Sequence, residues 1–273
     1  MFSVRLRINH HDPDQVIAKL WEHYTLGIIE QTSNQVLVFF EFEQNIPEFE
    51  SAEAEVLELR NDDTAQLHTF SRDAWDPILI GNRFFIAPPW VHAPTPPERI
   101  RLVIDSGPAF GTGRHESTQL ALIALERYVQ PEHTVLDVGC GSGILSAAAF
   151  ALGARHVFGC DTDALAVSAA QLQNVGSAFF VGTCDAVKSG IADIVLANIS
   201  ARVIDQLAFE LHRVTKPDGL IILAGFIKHE PPSRFRPRER LEDADWECWV
   251  CPRTHVSEQI QPEPLQPFPQ LWW

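Results

Sequence analysis

Three short runs hold residues that could bind a cofactor and steer a reaction. In LDVGCGSGIL, Asp137 precedes Gly139, Gly141 and Gly143 at alternate positions, just ahead of a helix-forming stretch. A dinucleotide fingerprint, G-x-G-x-x-G, requires glycine at position 144, where the chain has Ile144, and a carboxylate beside the loop would repel a pyrophosphate. The same carboxylate suits a ligand with ammonium and sulfonium charges and no phosphate, and S-adenosylmethionine is such a molecule. In HVFGCD, Asp161 ends the next apolar run, where an acid can accept hydrogen bonds from both hydroxyls of a ribose. Asp163 is the weaker alternative, and either acid could instead cap the helix DALAVSAA. In LANIS, the amide oxygen of Asn198 can accept a hydrogen bond from an amine and turn the nitrogen lone pair towards a methyl donor. Its competing role is as N-cap of the helix ARVIDQLA.

A fourth run, SGPAFGTGRHEST, packs Gly107, Gly111 and Gly113 around Phe110 and leads into the helical pattern ESTQLALIALERY. It lacks the lysine and the glycine spacing of a phosphate-binding loop, so it is shaped for another ligand, or is a tight turn in which Ser117 or Thr118 caps the helix. His115 reads as a loop anchor rather than a base. Cys248 and Cys251 form a C-x-x-C pair with His255 nearby, but a zinc ribbon needs a second pair, and none exists. Trp246, Cys248 and Val250 alternate instead as one face of a strand, and no metal is expected.

The elements that must position these residues alternate in type. HTVLDVG, HVFGCD, ADIVLAN and DGLIILAGF read as buried strands, with SGILSAAAFALGA, DALAVSAAQLQN and ARVIDQLAFELHRV as the intervening helices. Such alternation implies an α/β domain, a mainly parallel sheet with helices on both faces, whose ligands sit at the carboxyl ends of the strands. The preceding residues read as a small α+β unit: SVRLRI as a strand, DPDQVIAKLWEHY as a helix through Val16, Leu20 and Tyr24, and NQVLVFFEF as a strand. The acidic stretch EFESAEAEVLELRNDD is expected to hold a short helix or a mobile connection. WDPILIGNRFFIAPPW gives two strands about Gly81-Asn82, and the prolines after them mark a boundary. The expected domains are therefore residues 1–86, 87–252 and a proline-rich, disordered tail at 253–273.

Composition narrows the function. Lys and Arg number 21 against 36 Asp and Glu, a net charge of −15 that disfavours binding to a phosphate backbone. It would attract a basic protein, although solubility alone is an adequate and more common explanation. The start MFSVRLRINH lacks the features of a signal peptide, no apolar run spans a bilayer, and five scattered cysteines make no disulfide framework. The expectation is a cytoplasmic monomer with reduced thiols and neither membrane nor direct nucleic-acid contact.

In this order, GPAFGTGRHESTQLAL, VLDVGCGSGILSAAA, GCDTDALAV and ADIVLANISA resemble the bacterial ribosomal protein L11 methyltransferases (PrmA), a family of class I methyltransferases. The likeness extends to PILIGNRFFIAPPW and, less closely, to WECWV, and so runs from about residue 75 to residue 250. It implies a Rossmann-like class I methyltransferase domain preceded by a small substrate-recognition domain. It also implies S-adenosylmethionine as cofactor and methylation of lysine ε-amino groups, with the α-amino group as a further candidate, on a basic ribosomal protein, L11. The FGTG segment, here Phe110 to Gly113 with Thr112 inside it, would close over the cofactor, which Thr118 would also contact. Gly139, Asp161 and Asn198 fall on the family's other cofactor positions, with Asp137 and Gly141 beside them, and Asn198 would be the catalytic residue. The chain departs from the family in Ser200-Ala201-Arg202, which follow the Asn-Ile pair, and in KHEPPSRFRPRER, which stands where a late helix is usual. Its basic run, Arg234 to Arg240, reads as a solvated loop. Other acceptors, another protein lysine or a small amine, fit the same residues, as does a non-catalytic S-adenosylmethionine-binding module. A nicotinamide oxidoreductase fits poorly.

Overall fold

The computed structural model describes residues 2–9, 16–17, 19–20, 23, 25–32, 34–40, 42–61, 76–104, 113–173 and 176–253. The chain divides into two compact units, residues 1–75 and 76–273.

In the first unit, the alternation in FSVRLRI produces β1 (Phe2–Ile8), which sends Val4, Leu6 and Ile8 to one face. Antiparallel β3 (Gln35–Phe40) adds Val36, Val38 and Phe40 to the same core, and Val16 and Leu20 cover it from residues that are helical. With β2 (Thr25–Thr32) and β4 (Ala54–Asn61) the sheet order is β2-β3-β1-β4. The acidic stretch at 48–63 is thus neither helix nor loose connection along its second half: it forms β4. Cross-strand charge pairing accounts for the difference, because Arg5 and Arg7 of β1 face Glu58 and Glu55 across the pairing. Glutamates that weaken a strand in isolation are matched here by the neighbour.

The second unit begins earlier than expected. β5 (Ile78–Ile80) and β6 (Phe84–Ala87), the two strands about Gly81-Asn82, form a three-stranded sheet with β7 (Ile100–Val103), and β6 pairs with β7 in parallel. Ile80, Phe84, Ile86, Leu102 and Ile104 are buried in the core shared with the helices of the α/β domain. The boundary accordingly falls at 75/76 and not at 86/87: two strands whose apolar side chains need that core cannot belong to the other unit. The proline-rich stretch is instead the link from β6 to β7, held where the Arg101 guanidinium donates to the carbonyls of Ala93 and Val91.

The main sheet contains seven strands: β8 (Thr134–Val138), β9 (His156–Asp161), β10 (Ala178–Val181), β11 (Ala192–Asn198), β12 (Thr215–Ile227), β13 (Glu239–Asp243) and β14 (Trp246–Pro252), in the order β10-β9-β8-β11-β12-β14-β13. The pairings are parallel from β10 to β12 and antiparallel for β14 and β13. Four helices accompany it: α1 (Glu116–Tyr128), α2 (Ile144–Ala151), α3 (Ala164–Gln173) and α4 (Ala201–Val214). Successive residues of the central strands feed two separate cores. Val135, Ile194, Leu196 and Ile222 pack with α1 and α2, whereas Leu136, Val138, Val195 and Leu223 pack with Ile204, Leu207, Ala208 and Leu211 of α4. A strand that must satisfy two apolar faces reads as an unbroken apolar run, as these do.

The late strand expected at WECWV is β14, with Cys248 and Val250 in one core and Trp249 and Cys251 in the other. The two cysteines therefore diverge, and all five in the chain are free and buried. Residues 228–238 contain no helix. In the basic run Arg234 to Arg240, Arg238 and Arg240 are exposed, as expected of a solvated run, and their guanidinium groups lie over the rings of Tyr128 and Trp249, at 4.8 and 4.9 Å. The tail at 254–273 lies outside the described residues.

Candidate active site

The chain leaves β8, builds β9 and β10 on one side, and returns to place β11 on the other side of β8. The carboxyl ends of β8 and β11 flank this switch in strand order, where open α/β sheets bind ligands. Ala197 pairs with Val138, so Asn198 and Gly139 are the first residues beyond the paired ends. The approach is close: a Cβ on Gly139 would lie 2.5 Å from Ile199 Cγ2. Gly139, Gly141 and Gly143 all have positive φ, 73°, 52° and 78°, and Gly143 caps α2 from the left-handed region. Gly113, with φ 78°, is confined by Ile86 and Ile144, whose Cδ1 atoms would each lie 2.8 Å from a Cβ there.

Asp137 is 1% exposed, and one carboxylate oxygen accepts from Ser146 Oγ of α2 at 2.7 Å. The other is buried and, among the described residues, without a partner. Burial lifts its pKa from 3.8 to about 6, the Ser146 hydrogen bond opposes the rise, and the nearby Asp161 charge adds to it. Asp161 is also buried, and burial raises its pKa too; its oxygens accept from the backbone N–H groups of Gly141 and Asp163, each at 3.0 Å. The capping role belongs to Asp163, which accepts from Leu165 N in the first turn of α3. Two carboxyl groups raised by burial, one holding an orphan oxygen, make surroundings that gain by receiving positive charge.

Asn198 and Thr118, 80 residues apart in sequence, meet here: Asn198 Nδ2 donates to Thr118 Oγ1 at 3.1 Å. Asn198 Oδ1 is buried and, among the described residues, has no partner. Neither of the competing capping roles is taken. Ser200 is the N-cap of α4, and His115 caps α1 by accepting from Ser117 N through Nδ1. The His115 ring also meets Trp246 of β14 edge-on at 4.3 Å, as suits an anchor. Phe110 and Thr112 lie outside the described residues.

Three residues with a part in this arrangement escaped the sequence reading. Ser146 orients Asp137, Trp246 supports His115, and Gly225, at φ 90°, lets β12 approach the Asn198-Ile199 turn; a Cβ there would lie 2.6 Å from Ile199 O. Ser146 and Trp246 act through contacts that no local spacing reveals. Gly225 interrupts an apolar run and was the one detectable signal.

The family model for ribosomal protein L11 methyltransferase (PrmA) matches residues 6–251. The chain belongs to this family. A relative from Paraburkholderia phytofirmans, named ribosomal protein L11 methyltransferase, is 39% identical over 72% of this chain and 66% of its own length. A second, from Paraburkholderia xenovorans, is 40% identical over 66% of this chain and 62% of its own. The match thus spans just under two thirds of those two relatives, but 88% of both chains for a Clostridium perfringens relative at 32% identity. Among solved structures, ribosomal protein L11 methylase from Lactobacillus delbrueckii subsp. bulgaricus superposes with a TM-score of 0.61 at 28% identity, covering 66% of this chain and all of that one. The fold is that of a class I methyltransferase. The donor set fits the family's cofactor, S-adenosylmethionine: an unpartnered carboxylate oxygen on Asp137 suits an ammonium, and the left-handed glycine turn removes the side chains that would block a ligand from the strand ends. Among the described residues no helix is long and apolar enough to cross a membrane.

Proposed function

We propose that this member of the PrmA family is a methyltransferase that methylates amino groups of a basic ribosomal protein, L11, with lysine ε-amino groups as acceptors and the α-amino group as a further candidate. The observation that carries the reading is the buried, unpartnered Oδ1 of Asn198 at the carboxyl end of β11. An orphan acceptor in such a place is costly unless a ligand donates to it, and an amine N–H is the donor that an amine substrate brings.

S-adenosylmethionine supplies the methyl group on a cationic sulfonium. The protein has to present a neutral amine. A free lysine, with pKa near 10.4, is neutral in about one molecule in a few thousand at pH 7, and desolvation beside a cation lowers that value. Asn198 Oδ1 accepts one amine N–H and so directs the lone pair. Gly139 and Gly141 would line the cofactor, Asp137 would hold its ammonium, and Asp161 would accept from the ribose hydroxyls. The resemblance assigns Phe110, Thr112 and Gly113 to the segment over the cofactor, and Thr118 would contact it from α1. No general base is needed in this scheme. The net charge of −15 draws in a basic acceptor without contact to nucleic acid, and with such an acceptor a monomer works in the cytoplasm.

The test is to incubate the protein with S-adenosylmethionine and L11 of the same organism and record the intact mass of L11, with Asn198→Ala in parallel. Mass steps of one methyl each, lost in the variant, are expected. No mass change with calorimetric cofactor binding intact would overturn the acceptor assignment.

A further inference from the structure

An asparagine can serve an amine nucleophile in only one of its two amide orientations. With Oδ1 towards the amine it accepts an N–H and leaves the lone pair free; with Nδ2 there, it donates into the lone pair and masks the nucleophile. Rotation by 180° exchanges the two at almost no steric cost, so something outside Asn198 must choose. The contact that can do so comes from α1: Asn198 Nδ2 donates to Thr118 Oγ1 at 3.1 Å, and Oδ1 is left as the buried atom without a partner. Thr118 is itself 1% exposed, in the first turns of a helix whose neighbours Leu120, Ala121 and Leu122 are buried. Burial of the Thr118 side chain leaves its oxygen placed to accept from Nδ2, the one contact it makes with the amide.

We propose that Thr118 is a positioning residue for the transfer: its oxygen, by holding Nδ2, presents Oδ1 of Asn198 to the acceptor amine. This rests on the methyl-transfer reading of Asn198. It is separate from contact between Thr118 and the cofactor, which would appear in cofactor affinity, whereas amide orientation appears in turnover.

Thr118→Val keeps the volume and removes the acceptor; Thr118→Ser keeps the acceptor; Thr118→Ala serves if the valine variant does not fold. With saturating S-adenosylmethionine and L11, Thr118→Val is expected to lower kcat about five- to tenfold, the size of one neutral hydrogen bond, over and above any rise in the calorimetric cofactor Kd from its lost contact, with the KM for L11 within about twofold of wild type. Thr118→Ser is expected to restore most of kcat. In an Asn198→Ala background Thr118→Val should cost nothing further, because a residue acting through Asn198 has nothing left to orient. Independently of turnover, the side-chain NH₂ resonances of Asn198, assigned by their loss in Asn198→Asp, should show protection from solvent exchange in wild type and Thr118→Ser and lose it in Thr118→Val. An unchanged kcat, a loss carried wholly by cofactor Kd, or losses that multiply in the double variant would each overturn the proposal. If wild type transfers no methyl group to L11, the acceptor reading fails by itself, and the resonances still decide whether Thr118 holds the amide.

Discussion

Replacing Asp137 with asparagine should stabilise the cofactor-free protein at neutral pH while weakening its hold on the cofactor. Asp137 is buried with one oxygen on Ser146 and the other unpartnered, and its pKa is raised from 3.8 to about 6. A raised carboxyl pKa means that the folded chain binds the proton more tightly than the unfolded chain, so between these two values stability falls as pH rises. Below about pH 4 both states are protonated and the group contributes no difference. Above about pH 6 the full penalty is present, and a displacement of about two pH units at 1.36 kcal/mol each makes it about 3 kcal/mol. The amide introduced by Asp137→Asn carries no charge and can still accept from Ser146, so the variant escapes the penalty. At 2–4 °C per kcal/mol for a unit of this size, the variant should melt roughly 6–12 °C above wild type at pH 7.5 and about level with it at pH 4. Calorimetric melting of both proteins across this range checks it, since other carboxyl groups titrate in both and largely cancel. S-adenosylmethionine should reverse the order: wild-type affinity should climb as pH passes through about 6, and Asp137→Asn should show no such climb. Parallel melting curves with a constant offset would refute the reasoning, because they would mean that the buried carboxyl does not change charge in this window.

Ser146→Ala removes the one hydrogen bond that stabilises the ionised form of Asp137 from a side chain, and should move the wild-type stability transition to higher pH in the same melting series. Gly225→Ala forces a side chain into φ 90° with its Cβ 2.6 Å from a backbone oxygen; it should lower stability by more than about 2 kcal/mol in urea and impair methyl transfer by displacing the Asn198 turn. His212 is buried against Phe235 with neither ring nitrogen partnered, and burial, helped by the Arg253 charge, lowers its pKa from 6.5 to about 4. The unfolded chain therefore gains the proton first as pH falls, and wild type should lose about 3 kcal/mol between pH 6.5 and 4 that His212→Phe keeps, as paired melting curves would show. Leu125→Ala empties a fully buried position in α1 and should cost about 2–5 kcal/mol, read by denaturant melting.

Some features could be read locally and others could not. Strands such as IVLA are apolar on both faces because both faces are covered, and Ile204, Leu207, Ala208 and Leu211 repeat at helical spacing because α4 buries one stripe. β4 could not be read this way: its glutamates become a strand only because Arg5 and Arg7 of β1 face them. The short strands β7, β10 and β13 have four or five residues each, too few for a period to show. The domain boundary was misplaced for a related reason. Prolines mark a break in local structure, but domain membership is decided by which core receives Ile80, Phe84 and Ile86.

The sequence by itself determined the α/β alternation, the loop that rejects a pyrophosphate, and the candidate positions Asp137, Gly139, Asp161 and Asn198, because glycine conformation, strand ends and charge are properties of adjacent residues. Only the tertiary structure decided what these groups touch. It joined Thr118 to Asn198, gave Asp137 one hydrogen-bonded and one orphan oxygen, moved the capping of α3 to Asp163, and raised two carboxyl pKa values. Hydrogen bonds form within about 3 Å, and burial depends on every neighbour at once; neither quantity has any fixed relation to separation along the chain.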